Sequence, residues 1–262
     1  MNASDGKNWK DLASSFLGAR HPMDSTVTGL AISGGTILAG DSTAKMYVVD
    51  ASKGSVKTVK NAGGLDVAST AGSFFIANGT IEKTDASASS RNPLPNLTVT
   101  GGIGADAMGN VYAVSGNTIK KVDLNSQVTD IITTDLVSPL DVAVDNRNGD
   151  IYVLEQAMIK RFSTNGQLLS QFSNGSSKPV GIAVDETGCV YVADAGTSKA
   201  DSKVVKFSAS VDGNNNSMNN FGYQNNYGTG YNNMSYQNSY SSYSNTRNNL
   251  TTTKTSRLAG RQ

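Results

Sequence analysis

The 262-residue chain is poor in the residues that disulfides and most metal sites require. It has one cysteine, Cys189, and one histidine, His21. A single cysteine excludes an intrachain disulfide, and zinc sites draw on several cysteine or histidine ligands. The composition therefore argues against zinc catalysis, and a Ser-His-Asp triad would have to use His21.

The sequence also lacks long apolar stretches and a strong charge of either sign. No run approaches the ~18 apolar residues of a transmembrane helix, and the N-terminal residues carry charges from Asp5 onward. Charged residues make up 16% of the chain and the formal net charge is +1, so overall charge favours neither nucleic acid nor a membrane. We therefore expect a cytoplasmic protein without a membrane partner.

What the sequence does contain is a repeat. Five similar segments begin at Gly29, Gly64, Gly102, Asp141 and Gly181, at spacings of 35, 38, 39 and 40 residues. Each contains short alternating runs of β-forming residues, such as "NVYAV", "DIYVL" and "CVYVA", after a turn that holds a glycine. This length and period predict one four-stranded blade per segment.

The last two segments carry a family resemblance. "PVGIAVDETGCVYVADAGTSKADSKVVKFS" resembles an NHL repeat, and "SPLDVAVDNRNGDIYVLEQAMIKRFSTNGQ" is similar to one. The first three segments match this pattern only in outline. The resemblance implies an all-β fold over residues 26–213, a β-propeller of about five NHL-like four-stranded blades. Six blades are possible, because rings of this family commonly have six.

The two ends of the chain differ from the repeats. Residues 1–25 predict a short amphipathic helix whose apolar face packs on the propeller or docks on a partner; that face carries Trp9, Leu12, Ala13, Phe16 and Leu17. After "KFSAS" the fifth unit has no convincing outer strand. We expect the N-terminal region, through "DSTVTG", to supply that strand and close the ring; an open ring is the alternative.

Residues 214–262 predict a disordered, prion-like tail rich in Asn, Tyr and Ser. The tail has no acidic residue. Its aromatic and basic residues are the candidates for self-association or nucleic-acid contact, namely Tyr223, Tyr227, Tyr231, Tyr236, Tyr240, Tyr243 and Arg247. Four positive charges over this segment would give only weak, salt-sensitive binding to RNA.

Polar residues also occupy one equivalent position in each repeat, at the end of the predicted second strand. They are Asp41, Asn78, Ser115, Glu155 and Asp194. Such residues could form a ring at the channel rim, and lactonase-like propellers, which are similar in fold, hold calcium there with Glu, Asn and Asp. The favoured interpretation is that they cap the turn into the third strand. We therefore predict no catalytic residue and no cofactor, with calcium only in the alternative interpretation.

These features favour a non-enzymatic interaction or scaffold protein. In this prediction the propeller docks a protein partner and the tail mediates multivalent or self-association. The alternative is a lactonase-like metal-dependent hydrolase with its site in the channel. A second alternative is RNA binding through the tail and the propeller together.

Overall fold

The structure is a computed structural model. It describes residues 27–209 and 221–225, apart from positions 44, 51, 54, 61–63, 71, 95–96 and 199–200. The predicted N-terminal helix and His21 lie outside these residues. The described chain forms five four-stranded antiparallel sheets, each with its strands in sequence order. The predicted all-β propeller is confirmed, with five blades rather than six. None of the described segments is a helix that could cross a membrane.

Each blade is built from four consecutive strands. The first blade contains β1 (Val27–Ser33), β2 (Thr36–Asp41), β3 (Lys45–Asp50) and β4 (Ser55–Lys60). The second contains β5 (Asp66–Thr70), β6 (Ser73–Ala77), β7 (Ile81–Thr84) and β8 (Arg91–Pro93). The third contains β9 (Ile103–Ala105), β10 (Val111–Ser115), β11 (Thr118–Val122) and β12 (Val128–Ile132). The fourth contains β13 (Asp141–Val144), β14 (Ile151–Leu154), β15 (Met158–Phe162) and β16 (Leu168–Ser173). The fifth contains β17 (Pro179–Val184), β18 (Val190–Asp194), β19 (Lys203–Ala209) and β20 (Phe221–Asn225).

A glycine with positive φ forms part of the first hairpin turn in every blade. The five are Gly35, Gly72, Gly109, Gly149 and Gly188, with φ between 79° and 91°. A side chain at such a φ would clash with the backbone, so glycine is the residue that fits these turns. The repeated glycine therefore allows the tight turn that joins the first two strands of each blade.

The outer strand of the fifth blade comes from the C-terminal side of the propeller. β20 pairs antiparallel with β19, from Val205 opposite Asn225 to Ala209 opposite Phe221. The prediction that "DSTVTG" supplies this outer strand is wrong, because its residues Val27–Gly29 belong to β1, the first strand of the first blade. β20 itself lies within the range that the sequence analysis assigned to the tail.

Consecutive blades pack face to face through apolar side chains. In the described residues the first and second blades share a cluster that contains Leu38 and Phe74, and the second and third share one that contains Phe75 and Ile103. Two further clusters join the third blade to the fourth and the fourth to the fifth. None of these clusters joins the fifth blade to the first.

The faces that would meet between those two blades are exposed. Leu30 of β1 is 58% exposed, whereas the equivalent Val67, Ile103 and Val142 are at most 4% exposed. Val204 of β19 is 41% exposed, although residues at the same position in the first four blades are fully buried; these are Met46, Ile81, Ile119 and Ile159. The described part of the ring is therefore open between the fifth and first blades. We call this opening the gap.

Removal of β20 should destabilise the fifth blade. We compare a chain that ends at Gly213 with one that ends at Thr229 and retains β20. Loss of β20 leaves β19, with its buried Val205 and Phe207, at the edge of the sheet. The shorter chain should lose about 1–2 kcal/mol, a fall in Tm of about 2–8 °C by circular dichroism. Equal melting temperatures would show that β20 adds nothing to the blade.

Candidate functional site

A cavity of about 520 Å³ lies where the first strands of all five blades begin. Residues at one equivalent position in each blade line it: Gly29, Asp66, Gly102, Asp141 and Gly181. The cavity continues into the gap along the fifth blade, where Tyr191, Ala193 and Val204 form its wall. The central channel and the gap are therefore one continuous space at this end of the propeller.

The two aspartates of this set each connect one blade to the next. Asp66 accepts hydrogen bonds from the backbone N–H of Val67 at 2.7 Å and of Ile103, in the third blade, at 2.9 Å. Asp141 does the same with Val142 at 2.7 Å and with Ile182, in the fifth blade, at 2.8 Å. Every carboxylate oxygen of the pair therefore accepts a backbone N–H, which stabilises both carboxylates.

The glycines leave room for these carboxylates. A Cβ on Gly102 would lie 1.9 Å from Asp141 Oδ1 and 3.0 Å from Asp66 Oδ2. A Cβ on Gly29 would lie 2.6 Å from Asp66 Oδ1. Both carboxylates therefore lie next to Gly102. Asp141 Oδ1 and Asp66 Oδ2 are less than about 5 Å apart, which is close enough for each negative charge to disfavour ionisation of the other carboxylate.

Burial and proximity change the acidity of the pair. Burial raises the pKa of Asp66 to about 6, and the N–H groups of Ile103 and Val67 offset part of the rise. Burial also raises the pKa of Asp141, and the negative charge of Asp66 raises it further. The pair therefore retains a proton at a pH where ordinary aspartates are ionised.

No third acidic, cysteine or histidine side chain joins the pair among the described residues. Among the described residues no group of three or more His, Cys, Asp or Glu side chains is placed to hold an ion. The hydrogen bonds from four backbone N–H groups give the two carboxylates a structural role, which is to connect the second blade to the third and the fourth to the fifth.

The five residues of the predicted ring occupy equivalent positions at or just after the second strands. Asp41 accepts hydrogen bonds from the N–H groups of Thr43 and Lys45 and from Tyr47 Oη. Asp194 accepts hydrogen bonds from the N–H groups of Ser177, Lys178 and Gly196. The contacts of Asp41 support the capping interpretation, whereas Asp194 receives one backbone hydrogen bond from the turn that follows it and two from the residues that precede β17.

The other three ring residues use different contacts. Glu155 accepts the N–H of Val137 at 2.6 Å and pairs with Lys160 Nζ at 3.0 Å. Asn78 donates its backbone N–H to Thr80, and the Ser115 carbonyl accepts the hydroxyl of Thr118. None of the five ring residues lines the cavity described above.

The predicted tail site falls almost wholly outside the described residues. Tyr223 lies in β20, where its backbone pairs with Phe207. Tyr227, Tyr231, Tyr236, Tyr240, Tyr243 and Arg247 lie outside the described part of the chain. Their role in self-association or nucleic-acid contact stays a prediction.

The sequence analysis missed Asp66 because the second repeat was aligned two residues out of register, and it assigned no role to Asp141, which begins the fourth segment. Asp66 pairs with Ala77 just as Gly181 pairs with Ala193, so Asp66 and not Gly64 is the equivalent of Gly29. An alignment on the ends of the second strands would have shown alternating Gly and Asp at the starts of the first strands. That alternation was the available signal.

Comparison with known proteins shows the fold and no family. No family model matches the chain, and a search of curated proteins found no match. Solved propellers do match. A streptogramin B lyase structure is 17% identical with a TM-score of 0.54, over 70% of this chain and 65% of that one. The chain is a β-propeller.

Two other solved structures are similar to it. A nidogen/laminin complex gives 15% identity and a TM-score of 0.59, over 69% of this chain and 74% of that chain. The WD40 propeller domain of Doa1 is 18% identical with a TM-score of 0.52, over 63% of this chain and 60% of that chain. The match therefore spans less than two thirds of the lyase and Doa1 chains, and at these identities the likeness shows the fold alone.

The raised pKa of Asp66 predicts a specific pH dependence. Between about pH 4 and pH 6 the folded protein holds a proton that the unfolded chain has released, so the pair's contribution to stability falls as pH rises through this range. Asp66→Asn removes this titration. Between about pH 4.5 and pH 7.5, the free energy of unfolding should fall in both proteins or in the wild type alone, and the fall should be about 1–3 kcal/mol larger in the wild type than in the variant. Urea unfolding at both pH values measures it.

Asp130→Asn is the matched control, because Asp130 is an exposed carboxylate on the outer strand β12. The control should keep the pH dependence of the wild type. If Asp66→Asn also keeps it, the carboxylate pair does not share a proton as inferred.

Two glycine substitutions test the fit of the carboxylates in the channel. Gly102→Ala places a methyl group 1.9 Å from Asp141 Oδ1, whereas in Gly181→Ala the nearest atom, Asp141 Oδ2, is 3.6 Å away. We expect Gly102→Ala to destabilise the protein by about 2–4 kcal/mol and Gly181→Ala to change it by less than about 1 kcal/mol. Urea unfolding of the two variants measures the difference, and equal losses would contradict the described packing.

Proposed function

We propose that this chain is a non-enzymatic interaction protein whose propeller docks a protein segment and whose tail brings copies of the chain together. The observation that carries the proposal is the position of β20. This strand fixes the chain to the outer edge of the fifth blade as far as Asn225. The five later tyrosines follow this strand in the sequence.

The composition of the tail supports self-association. From Asn226 to the end, the chain is rich in Asn, Ser and Tyr and contains no acidic residue. Many weak tyrosine and amide contacts act together when several are carried on one chain, so assembly becomes steep in concentration.

The gap supports docking by the propeller. Leu30, Val180 and Val204 line the cavity that continues into the gap and are between 41% and 58% exposed, and Ile32, two residues after Leu30 in β1, is 60% exposed. Exposed apolar groups in a concave surface suit a partner segment that is apolar on one side and polar on the other. The partner class that fits is therefore an amphipathic protein segment.

The enzyme alternative has less support. Asp41 and Asp194, which a channel calcium ion would have used, already accept three or more hydrogen bonds each from the turns around them. The likeness to a lyase in fold does not transfer an activity, because propellers host many functions.

Tyrosine substitutions in the tail test the self-association. We replace Tyr227, Tyr231, Tyr236, Tyr240 and Tyr243 with serine in the full chain. The wild type should form larger species as concentration rises in sedimentation velocity at low salt, and the variant should remain monomeric with an unchanged Tm. Loss of tyrosine removes the aromatic contacts while the propeller is untouched.

The matched control replaces Asn226, Asn232, Asn233, Asn238 and Asn245 with serine, and it should still assemble. A wild type that stays monodisperse over the whole concentration range would overturn the proposal. Assembly that nuclease treatment abolishes would also contradict it and would point to RNA as the bridging partner.

A further inference from the structure

The gap is an apolar surface with nothing among the described residues to cover its inner part. Leu30 and Ile32 of β1 are 58% and 60% exposed, and Val180 of β17, on the other side of the same cavity, is 56% exposed. In the other blades this kind of surface is buried against a neighbouring blade. Water contact with this much apolar surface is unfavourable, so an occupant would be stabilised there.

We propose that the N-terminal segment of the same chain, residues 1–25, occupies the gap through the side chains of Trp9, Leu12, Phe16 and Leu17. The inference rests on the proposed function only in treating the gap as a docking surface. It adds the identity of an occupant, and with it a regulatory consequence. A partner segment can enter the gap only by displacing the chain's own segment.

The position of the segment supports this choice. Val27, the first described residue, lines the cavity, so the chain that precedes it starts at the gap. Nine residues separate Leu17 from Val27 and can span up to about 30 Å when extended. The apolar residues of the segment are therefore within reach of the whole of β1, which is about 23 Å long.

The pattern of the segment matches the surface. Residues 9, 12, 13, 16 and 17 are Trp, Leu, Ala, Phe and Leu, a spacing that places them on one face of a helix. From Trp9 to Leu17 such a helix is about 13 Å long, shorter than β1. Lys10 and Asp11 fall between the apolar residues, so the opposite face is polar and suits solvent.

The cavity of about 520 Å³ at the inner end of the gap has room for a few large apolar side chains, such as those of Trp9 and Phe16.

The experiment uses Trp9, which is the only tryptophan of the chain, as the reporter. Fluorescence of the full-length protein is recorded at concentrations where sedimentation shows a monomer. We expect emission that is blue-shifted from N-acetyltryptophanamide in the same buffer and protected from acrylamide quenching. In Leu30→Asp/Ile32→Asp the emission should shift to the red and the quenching constant should rise several-fold, because charge in the gap expels the segment.

Leu168→Asp/Leu169→Asp is the matched control, because these exposed leucines lie on β16, the outer strand of the fourth blade. It should leave the fluorescence of Trp9 unchanged. Leu12→Asp/Phe16→Asp alters only the segment and should expose Trp9 as the gap variant does. This second variant keeps the test valid if the gap variant fails to fold.

Three results would overturn the inference: a solvent-exposed Trp9 in the wild type, a Trp9 unaffected by the gap variant when that variant is folded, or protection that appears only as concentration rises. The last result would assign the gap to a second copy of the chain. In each case the proposed function would still stand or fall on the tail variants, which do not involve Trp9.

Discussion

The packing of one blade against the next is the interaction on which the rest of this structure depends. A four-stranded sheet has two faces, and in the second, third and fourth blades both faces are covered by neighbours, with Ile81, Ile119 and Ile159 fully buried. Among the described residues, the first and fifth blades each pack against one other blade. Their second faces, at Leu30 and Val204, are therefore the surfaces where the described blades leave apolar groups exposed.

Much of this architecture could be predicted from the sequence, because it depends on local patterns. Period-two runs such as "DIYVL" and the glycines at Gly149 and Gly188 specify strand, turn and blade length without reference to distant residues. The source of the last strand could not be predicted. β20 is "FGYQN", which has little β-pattern of its own, and it forms a strand because the edge of β19 offers it hydrogen bonds.

The candidate site, too, could be predicted from the sequence only in part. The polar residues at the ends of the second strands were visible as a repeated position. Asp41 accepts hydrogen bonds from the turn that follows it, whereas Asp194 also accepts them from Ser177 and Lys178, which precede β17. Asp66 and Asp141 were not recognised, because their partners, Ile103 and Ile182, are 37 and 41 residues away in sequence. Only the closure of one blade on the next brings each carboxylate to the N–H of the following first strand.

The alternation of Gly and Asp around the channel gives two of the blade junctions a carboxylate connection. Asp66 connects the second blade to the third and Asp141 connects the fourth to the fifth, each across a glycine that leaves room for the carboxylate. An odd number of blades places two glycines, Gly181 and Gly29, on the two sides of the gap. The gap lacks a carboxylate connection, and so do the junctions of the first blade with the second and of the third with the fourth, where Gly29 and Gly102 hold the equivalent positions. Apolar clusters join the blades at those two junctions, so what distinguishes the gap is that the described residues supply no such cluster there.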